Sequence, residues 1–363
     1  MVLATRLPKT IDEIDGVWLS HALHAEGRIS EPAGVTVTGV KTVLGGTAFA
    51  TKMAILELDG PWGTPSSVVV KIPTTTEIRQ LMDGIGGYLR EVTFYSELAK
   101  DVPVRVPEPF VVRMAPDSTD FVLVMEDLSH LKSPDQITGL TIEQATAVVD
   151  SLGIFHAWCW EHDRLKAFED TFPPLNSERA TAINGGLVQY FGAVWPRVRE
   201  LSTVNAEAKQ IGDHFAELMP FFTEQLSTPR TLSHGELRAD NFFLLPDGGL
   251  LILDFQSLAQ QAGIIDVAYV ISQSIDEDVR RGHDEQLLSR YHERLIAEGV
   301  SDYSLERAWH QYRIAVAYNL MFPVLAFVAA DTADERGKEL MAEMLARAAD
   351  TIRAVNALEL LPI

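Results

Sequence analysis

The stretch Leu232 to Gln256, LSHGELRADNFFLLPDGGLLILDFQ, constrains the fold of this chain more than any other. Two apolar runs, Phe242-Phe243-Leu244-Leu245 and Leu250-Leu251-Ile252-Leu253, flank Pro246-Asp247-Gly248-Gly249. An Asp-Gly pair between two β-prone runs is the strongest short-range hairpin signal. With the turn centred on Asp247-Gly248, residues pair equally far from it, and that register sets Asn241 opposite Asp254. Opposed residues on one sheet face have Cβ atoms roughly 4.5–5.5 Å apart. The ribbon is therefore expected to gather an amide oxygen and a carboxylate beside a polar segment holding His234, Glu236, Arg238 and Asp240. Hard oxygen donors suit Mg²⁺, which takes one or two protein side chains and completes its octahedron with phosphate oxygens and water. Taken alone, the same residues also read as a surface hairpin with polar ends.

Composition narrows the classes. With 363 residues, the chain suits two domains or one large bilobal domain. A formal charge of −21 argues against nucleic acid, whose binding needs Lys and Arg to neutralise phosphates, and against an anionic membrane surface. Cys159 is the only cysteine, which excludes an internal disulfide and a Cys-based structural zinc site. Between Trp158 and Trp160 it reads as a small buried hydrophobe. The N-terminal residues lack the continuous apolar core of a signal peptide. The uncharged run Ile314 to Ala330, which no run in the chain exceeds in length, falls short of the ~20 residues a membrane span needs. It carries Asn319 and Pro323, so the expectation is a buried helix kinked near the proline in a soluble, cytoplasmic protein.

In chain order, Thr10-Ile11-Asp12-Glu13 has capping-box spacing ahead of Val17, Trp18, Leu19, Ala22 and Leu23, which predicts an amphipathic helix starting there. From Val35 to Lys71 the pattern is that of strands, interrupted by Leu44-Gly45-Gly46-Thr47 and by a Gly/Pro turn from Gly60 to Pro65. Lys71 follows three valines. A lysine on a buried strand must find an anion or lose its charge. A polar connection from Thr74 to Gly87 leads into a helical segment, Tyr88 to Lys100, with Glu91 one turn in. Phe121 to Met125 is a strand ending in Glu126-Asp127-Leu128. Beyond Leu140 the chain is mostly helical: Ile142 to Trp160, Ala182 to Leu201, Ala206 to Leu226, and from Glu285 onward. The ribbon at Phe242 to Phe255 is the one strand pair expected in this half.

Two nucleotide motifs are absent: there is no G-x-x-x-x-G-K-[ST], and Gly84-Ile85-Gly86-Gly87 lacks the third glycine of a dinucleotide fingerprint. What occurs instead is an ordered set. A glycine turn between strands is followed by a strand lysine, a helix glutamate, a hinge strand, H-x-[acid]-x-x-x-x-N, and an aspartate after the next strand. This order resembles the Gly-rich loop, β3 lysine, αC glutamate, catalytic loop and DFG aspartate of protein kinases. His234-Gly235 and Asp254-Phe255-Gln256 are similar to the aminoglycoside phosphotransferase and choline kinase superfamily. The phrases Arg90-Glu91-Val92-Thr93-Phe94-Tyr95, Val124-Met125-Glu126-Asp127-Leu128 and Leu152-Gly153-Ile154-Phe155-His156-Ala157 resemble the ecdysteroid kinase-like (CHK kinase-like) group within it.

The resemblance, over roughly Val35 to Ile275, implies an α+β, bilobal protein kinase-like fold. It places a small β-rich lobe at 1–125, a hinge at 126–131 and a larger helical lobe at 132–363. It implies an enzyme that moves the γ-phosphoryl group of ATP, with Mg²⁺, to a hydroxyl of a small molecule. Gly45, Gly46 and Thr47 would cover the phosphates. Lys71 would hold the α/β-phosphates and pair with Glu91, and backbone groups at Glu126 and Leu128 would meet the adenine. Asn241 and Asp254 would hold Mg²⁺, and Arg238 would steady the moving phosphoryl group. His234 and Asp266 would support the loop, and His156 reads as a hydrogen-bonded core residue.

At the catalytic acid the chain departs from the family: Glu236 stands where aspartate is expected, one methylene longer. Because the phosphoryl-transfer transition state is loose and the base mainly orients the hydroxyl, a longer side chain can serve. The alternative is a nucleotide-binding pseudokinase or regulatory module weakened at Glu236, and a plain interaction protein keeping the fold is a third reading. Between Asp254 and Asp266 there is no Ala-Pro-Glu and no room for an activation segment, so a peptide acceptor is disfavoured and no obligate protein partner is inferred. Phe172, Tyr190, Phe191, Trp195, Tyr318, Met321 and Phe322 would suit an apolar alcohol such as a steroid, although most of them are expected to be core. An aminoglycoside or choline-like acceptor would call for acidic residues instead.

Overall fold

A computed structural model describes residues 7–43, 51–75, 78–116, 119–331 and 333–363. The chain divides into two compact units. The first comprises Met1–Val102, Val106–Lys132 and Leu253–Gln256; the second comprises Pro103–Arg105, Ser133–Ile252 and Ser257–Ile363.

The first unit is built on a five-stranded antiparallel sheet. Its strands are β1 (Thr36–Thr42), β2 (Thr51–Asp59), β3 (Ser67–Pro73), β4 (Pro109–Met114) and β5 (Phe121–Glu126), in the order β1-β2-β3-β5-β4. Side chains alternate faces along a strand. Val68, Val70 and Ile72 therefore point together into a core with Ala54, Leu56, Val122 and Val124, which Trp18, Leu19, Ala22 and Leu23 of α1 (Gly16–Ala25) close. Lys71, between Val70 and Ile72, projects from the opposite face.

Helix α1 starts later than its capping-box spacing predicts. Ile11–Glu13 forms a single 3₁₀ turn, and the helix is capped by Asp15, whose Oδ1 accepts from the Trp18 N–H at 2.8 Å. The first helical residue, Gly16, sits at a close approach that requires glycine: a Cβ there would lie 2.3 Å from the Val35 carbonyl oxygen. The expected connection from Thr74 to Gly87 contains a helix, α2 (Ile78–Ile85). Gly86, at φ 76°, separates it from α3 (Gly87–Thr93), which runs on into a π-helical turn at Phe94–Leu98.

The second unit is mainly helical. Its elements begin with α4 (Ile142–Trp158, closed by a Thr141/Gln144 capping box), α5 (Glu178–Val198), α6 (Ala206–Asp213) and α7 (Phe215–Leu226). Short strands β6 (Thr231–Ser233), β7 (Phe242–Leu244), β8 (Leu250–Ile252) and β9 (Ala259–Gln261) follow. Next come α8 (Ile264–Ser274), α9 (Glu277–Arg280), α10 (Asp284–Ala297), α11 (Leu305–Tyr318), α12 (Met321–Ala326) and α13 (Glu335–Ala354). Every residue of α8 is buried, as befits a helix packed by α4, α10, α11 and α13. The expected single helix from Ala206 to Leu226 is broken at His214. Residues Leu305–Ala329 are long and apolar enough by composition to cross a bilayer. They fold instead as α11 and α12, separated at Asn319-Leu320, and neither piece approaches the ~20 residues of a span. Burial pushes the Cys159 thiol up to about 11, in keeping with a small core residue.

Two strand expectations are corrected. A second pair, β6 with β9, joins residues far apart in sequence (Thr231 to Gln261, Ser233 to Ala259). In the hairpin, Phe242 pairs with Ile252 and Leu244 with Leu250, one residue away from the register expected above. The loop is Pro246-Asp247-Gly248 rather than Asp247-Gly248: Gly248 donates to the Leu245 carbonyl at 2.9 Å, and Leu245 donates to Gly249 at 2.9 Å. Proline favours the first central position of a type I turn, and Gly248 at φ 84° supplies the left-handed residue that completes a three-residue loop. Asn241 is thus not opposite Asp254. The ladder ends at Ile252, and Asp254 leaves it at φ 62°.

Candidate functional site

In the first unit, β3, α3 and the segment Leu253–Gln256 bring three predicted site residues together. Lys71 Nζ donates to Glu91 Oε1 at 2.7 Å and lies 3.5 Å from Asp254 Oδ1. Lys71 is 5% exposed and Glu91 1%. Burial alone would push the ammonium pKa down and is the largest single influence on it, but Asp254 and Glu91 outweigh it and hold Lys71 above its ordinary value. The charge is kept because two carboxylates face it. The second Glu91 oxygen accepts from Gln256 Nε2 at 3.0 Å, so both oxygens of this buried carboxylate are engaged. Phe255 stacks on Phe94, with centroids 3.6 Å apart and planes 13° from parallel, and meets Tyr95 edge-on at 5.8 Å. At the end of β5, the Glu126 N–H donates to Glu108 O, and the Leu128 carbonyl accepts from Leu131, each at 2.9 Å. Gly45, Gly46 and Thr47 lie outside the described residues.

In the second unit, the loop between β6 and β7 collects Glu236, Arg238 and Asn241. Asp266, at the start of α8, organises it from below. Its Oδ1 accepts from Ser233 Oγ (2.8 Å) and Gly235 N (2.9 Å); its Oδ2 accepts from His234 N (2.6 Å) and faces His156 Nε2 (3.1 Å). Burial favours the neutral acid and is the largest influence on Asp266, yet His156, His234 and the Gly235 N–H together hold its pKa below the usual carboxylate value. His156 is fully buried, with its other ring nitrogen 2.9 Å from the Tyr291 hydroxyl.

Gly235 adopts φ 84°, and a Cβ there would sit 2.3 Å from the Ser257 carbonyl oxygen. Both the backbone conformation and the space require glycine at this position. Gly235→Ala is expected to cost at least about 2 kcal/mol, read as a lowered denaturant midpoint.

Asn241 is buried, and its Nδ2 donates to the Glu236 carbonyl at 2.8 Å. That bond orients the amide and leaves its oxygen, a hard donor, as the end offered to a cation. The Glu236 side chain is 39% exposed, with Arg238 Nη1 3.9 Å from its Oε1 and Ser257 Oγ 3.5 Å from its Oε2. Arg238 Nε also lies 3.9 Å from Asp240. Among the described residues, no group of three or more His, Cys, Asp or Glu is placed to hold a metal ion. Within its own unit each of Asp254 and Asn241 carries a hard oxygen, the donor type that a cation such as Mg²⁺ takes.

Sequence reasoning missed Gln136 and the bond made by Gln256. Gln136 is buried and holds the loop from the side: its Oε1 accepts from Ala239 N at 2.8 Å and Ser274 Oγ at 3.0 Å, while its Nε2 donates to Gln273 O at 2.7 Å. It lies in a turn-rich stretch with no periodicity to mark it. Of the residues considered for an acceptor pocket, Phe172, Phe191, Trp195, Tyr318 and Met321 are buried core. Tyr190 is exposed, and Phe322 is half-buried edge-on against Tyr269.

The fold has solved counterparts. A candidate aminoglycoside phosphotransferase from Ralstonia eutropha is similar with a TM-score of 0.57 and 15% identity, covering 95% of this chain and 98% of that one. Plasmodium vivax ethanolamine kinase is similar with a TM-score of 0.54 and 9% identity, over 97% and 92%. The GDP and kanamycin complex of APH(2″)-IIIa gives a TM-score of 0.52 and 12% identity, over 89% and 94%. At such identities these likenesses establish the mixed α+β, kinase-like fold. No curated protein sequence matches the chain. The model of the ecdysteroid kinase-like family matches residues 49–299, well over half of the chain. The chain therefore belongs to the ecdysteroid kinase-like family and is a small-molecule phosphotransferase.

Proposed function

We propose that this enzyme uses ATP with Mg²⁺ to phosphorylate a hydroxyl group of a small molecule. The observation that carries this reading is the buried cluster of Lys71, Glu91 and Asp254, a cation held charged inside a protein core by two carboxylates. A buried pair of this kind adds little net stability over an apolar replacement, so a binding role accounts for it better than a structural one. In this reading Lys71 binds the α/β-phosphates, and Glu91 fixes the lysine side chain. Asp254 is the proposed Mg²⁺ ligand of the first unit and the Asn241 oxygen that of the second; Mg²⁺, when bound, would neutralise charge on the phosphates.

The exposed Glu236 carboxylate accepts the proton of the acceptor hydroxyl and orients that hydroxyl for attack. Arg238 stands beside it as the cation for the transferred group. The GDP complex among the neighbours and the kinase names of others support nucleotide use and a hydroxyl acceptor. Neither the family match nor the geometry favours a non-catalytic nucleotide-binding module.

Glu236→Gln keeps the shape of the side chain and removes the base. We expect turnover to fall about 10²-fold or more while Mg²⁺-ATP binding is unchanged. ADP release in a screen of hydroxylated metabolites, with calorimetric titration of Mg²⁺-ATP, measures both. Full turnover in this variant would remove Glu236 from the chemistry.

A further inference from the structure

We propose that Gln256 is a positioning residue that presets Lys71 for nucleotide by holding Glu91 from behind. The inference rests on the reading above, in which Lys71 meets the phosphates, and adds a residue that the reading does not use.

The geometry is a short relay within the first unit. Gln256 Nε2 donates to one oxygen of Glu91 at 3.0 Å, and Lys71 Nζ donates to the other at 2.7 Å. Gln256 is itself buried. Its backbone is pinned by the preceding residue, since the Phe255 ring lies flat on Phe94, one turn beyond Glu91 in the same helical run. Gly87 adds a close approach: a Cβ there would come 3.6 Å from the Gln256 carbonyl oxygen and 2.3 Å from Met82 Cε.

An amide suits this position for a physical reason. A carboxylate at 256 would repel Glu91, and a second cation would compete with Lys71 for it. A neutral donor fixes one oxygen and leaves the other wholly to the lysine. Both Glu91 oxygens are then engaged at once, one by Gln256 and one by Lys71. Lys71 is therefore held in one place before any nucleotide arrives, and such preorganisation is read out as affinity.

The test uses the full chain with Mg²⁺-ATP as probe, measured by titration calorimetry, so it does not depend on the acceptor. Gln256→Met keeps the length of the side chain and removes the donor. Loss of one hydrogen bond to a charged group predicts binding weakened about ten- to a hundredfold. In a Glu91→Met background, the same Gln256→Met change should alter binding less than about twofold, because the group it acts through is gone. A side chain that merely fills space would give the same loss in both backgrounds, and that result overturns the inference. Gln256→Asn, one methylene short of Glu91, carries the same expectation as Gln256→Met should the latter fold poorly. Unchanged binding in Gln256→Met, with wild type binding normally, overturns this inference alone. A wild-type chain that binds no nucleotide removes the parent reading with it.

Discussion

Asp254→Asn should lower turnover by about 10²- to 10³-fold and leave the fold nearly untouched. Asp254 sits at φ 62°, in the left-handed region that costs most L-residues roughly 1–2 kcal/mol. Asparagine is the side chain that tolerates this conformation best after glycine, and it has the same shape as aspartate. The substitution therefore removes a charge without removing volume or adding backbone strain, and Glu91, at 2.7 Å, still pairs with Lys71. What it takes away is the carboxylate 3.5 Å from Lys71 Nζ, the hard anionic oxygen offered to Mg²⁺ in the proposed function. The variant should melt within a few degrees of wild type while ADP release collapses, and excess Mg²⁺ should restore only part of it. Turnover near the wild-type level would remove Asp254 from the site and leave Lys71 and Glu91 as a structural pair.

The largest loss of stability is expected from Asp266→Asn. Four donors converge on this fully buried carboxylate, from Ser233, His234, Gly235 and His156. An asparagine offers one acceptor oxygen and turns an NH₂ group toward two of these donors. Breaking a buried charged network of this kind costs about 3–5 kcal/mol. For a unit of this size that lowers the melting temperature by on the order of 10 °C.

The effect depends on pH with a definite sign. The folded pKa of Asp266 is held below its unfolded value of about 3.9, so its contribution is complete above that value and is lost as pH falls through the folded pKa. Denaturant midpoints of wild type and variant should thus differ most at neutral pH and converge below about pH 4. A constant gap across that range would mean that packing, rather than the ionised carboxylate, supports the loop.

Much of this architecture is readable from the residues because the signals are local. The β-branched run Val68-Val69-Val70 ahead of Lys71 and Ile72 marks β3, and a lysine inside it must find an anion or lose its charge. The periodicity of the segment after Gly87 marks the helix that carries Glu91. Other features are illegible for equally physical reasons. Pro246 lengthens the hairpin loop by one residue, and a shift of one moves the partner of Asn241 off Asp254. The β6–β9 pair is too short, at three residues each, to leave a pattern. Five of the seven aromatic and aliphatic residues considered for the acceptor are core, as expected for most of them, but composition does not mark which residues line the acceptor site.

The sequence by itself determined the inventory: a lysine on a buried strand, a helix glutamate, a loop with Glu236, Arg238 and Asn241, and an aspartate after the next strand, in an order characteristic of one family. Only the tertiary structure decided the pairings. It brought Asp254 and Gln256 into the unit that holds Lys71 and Glu91, and gathered four donors on Asp266. The order of motifs along a chain is a one-dimensional fact. Which oxygen meets which nitrogen depends on contacts between residues separated by tens to hundreds of positions, and those exist only once burial has forced every charged group to find its partner.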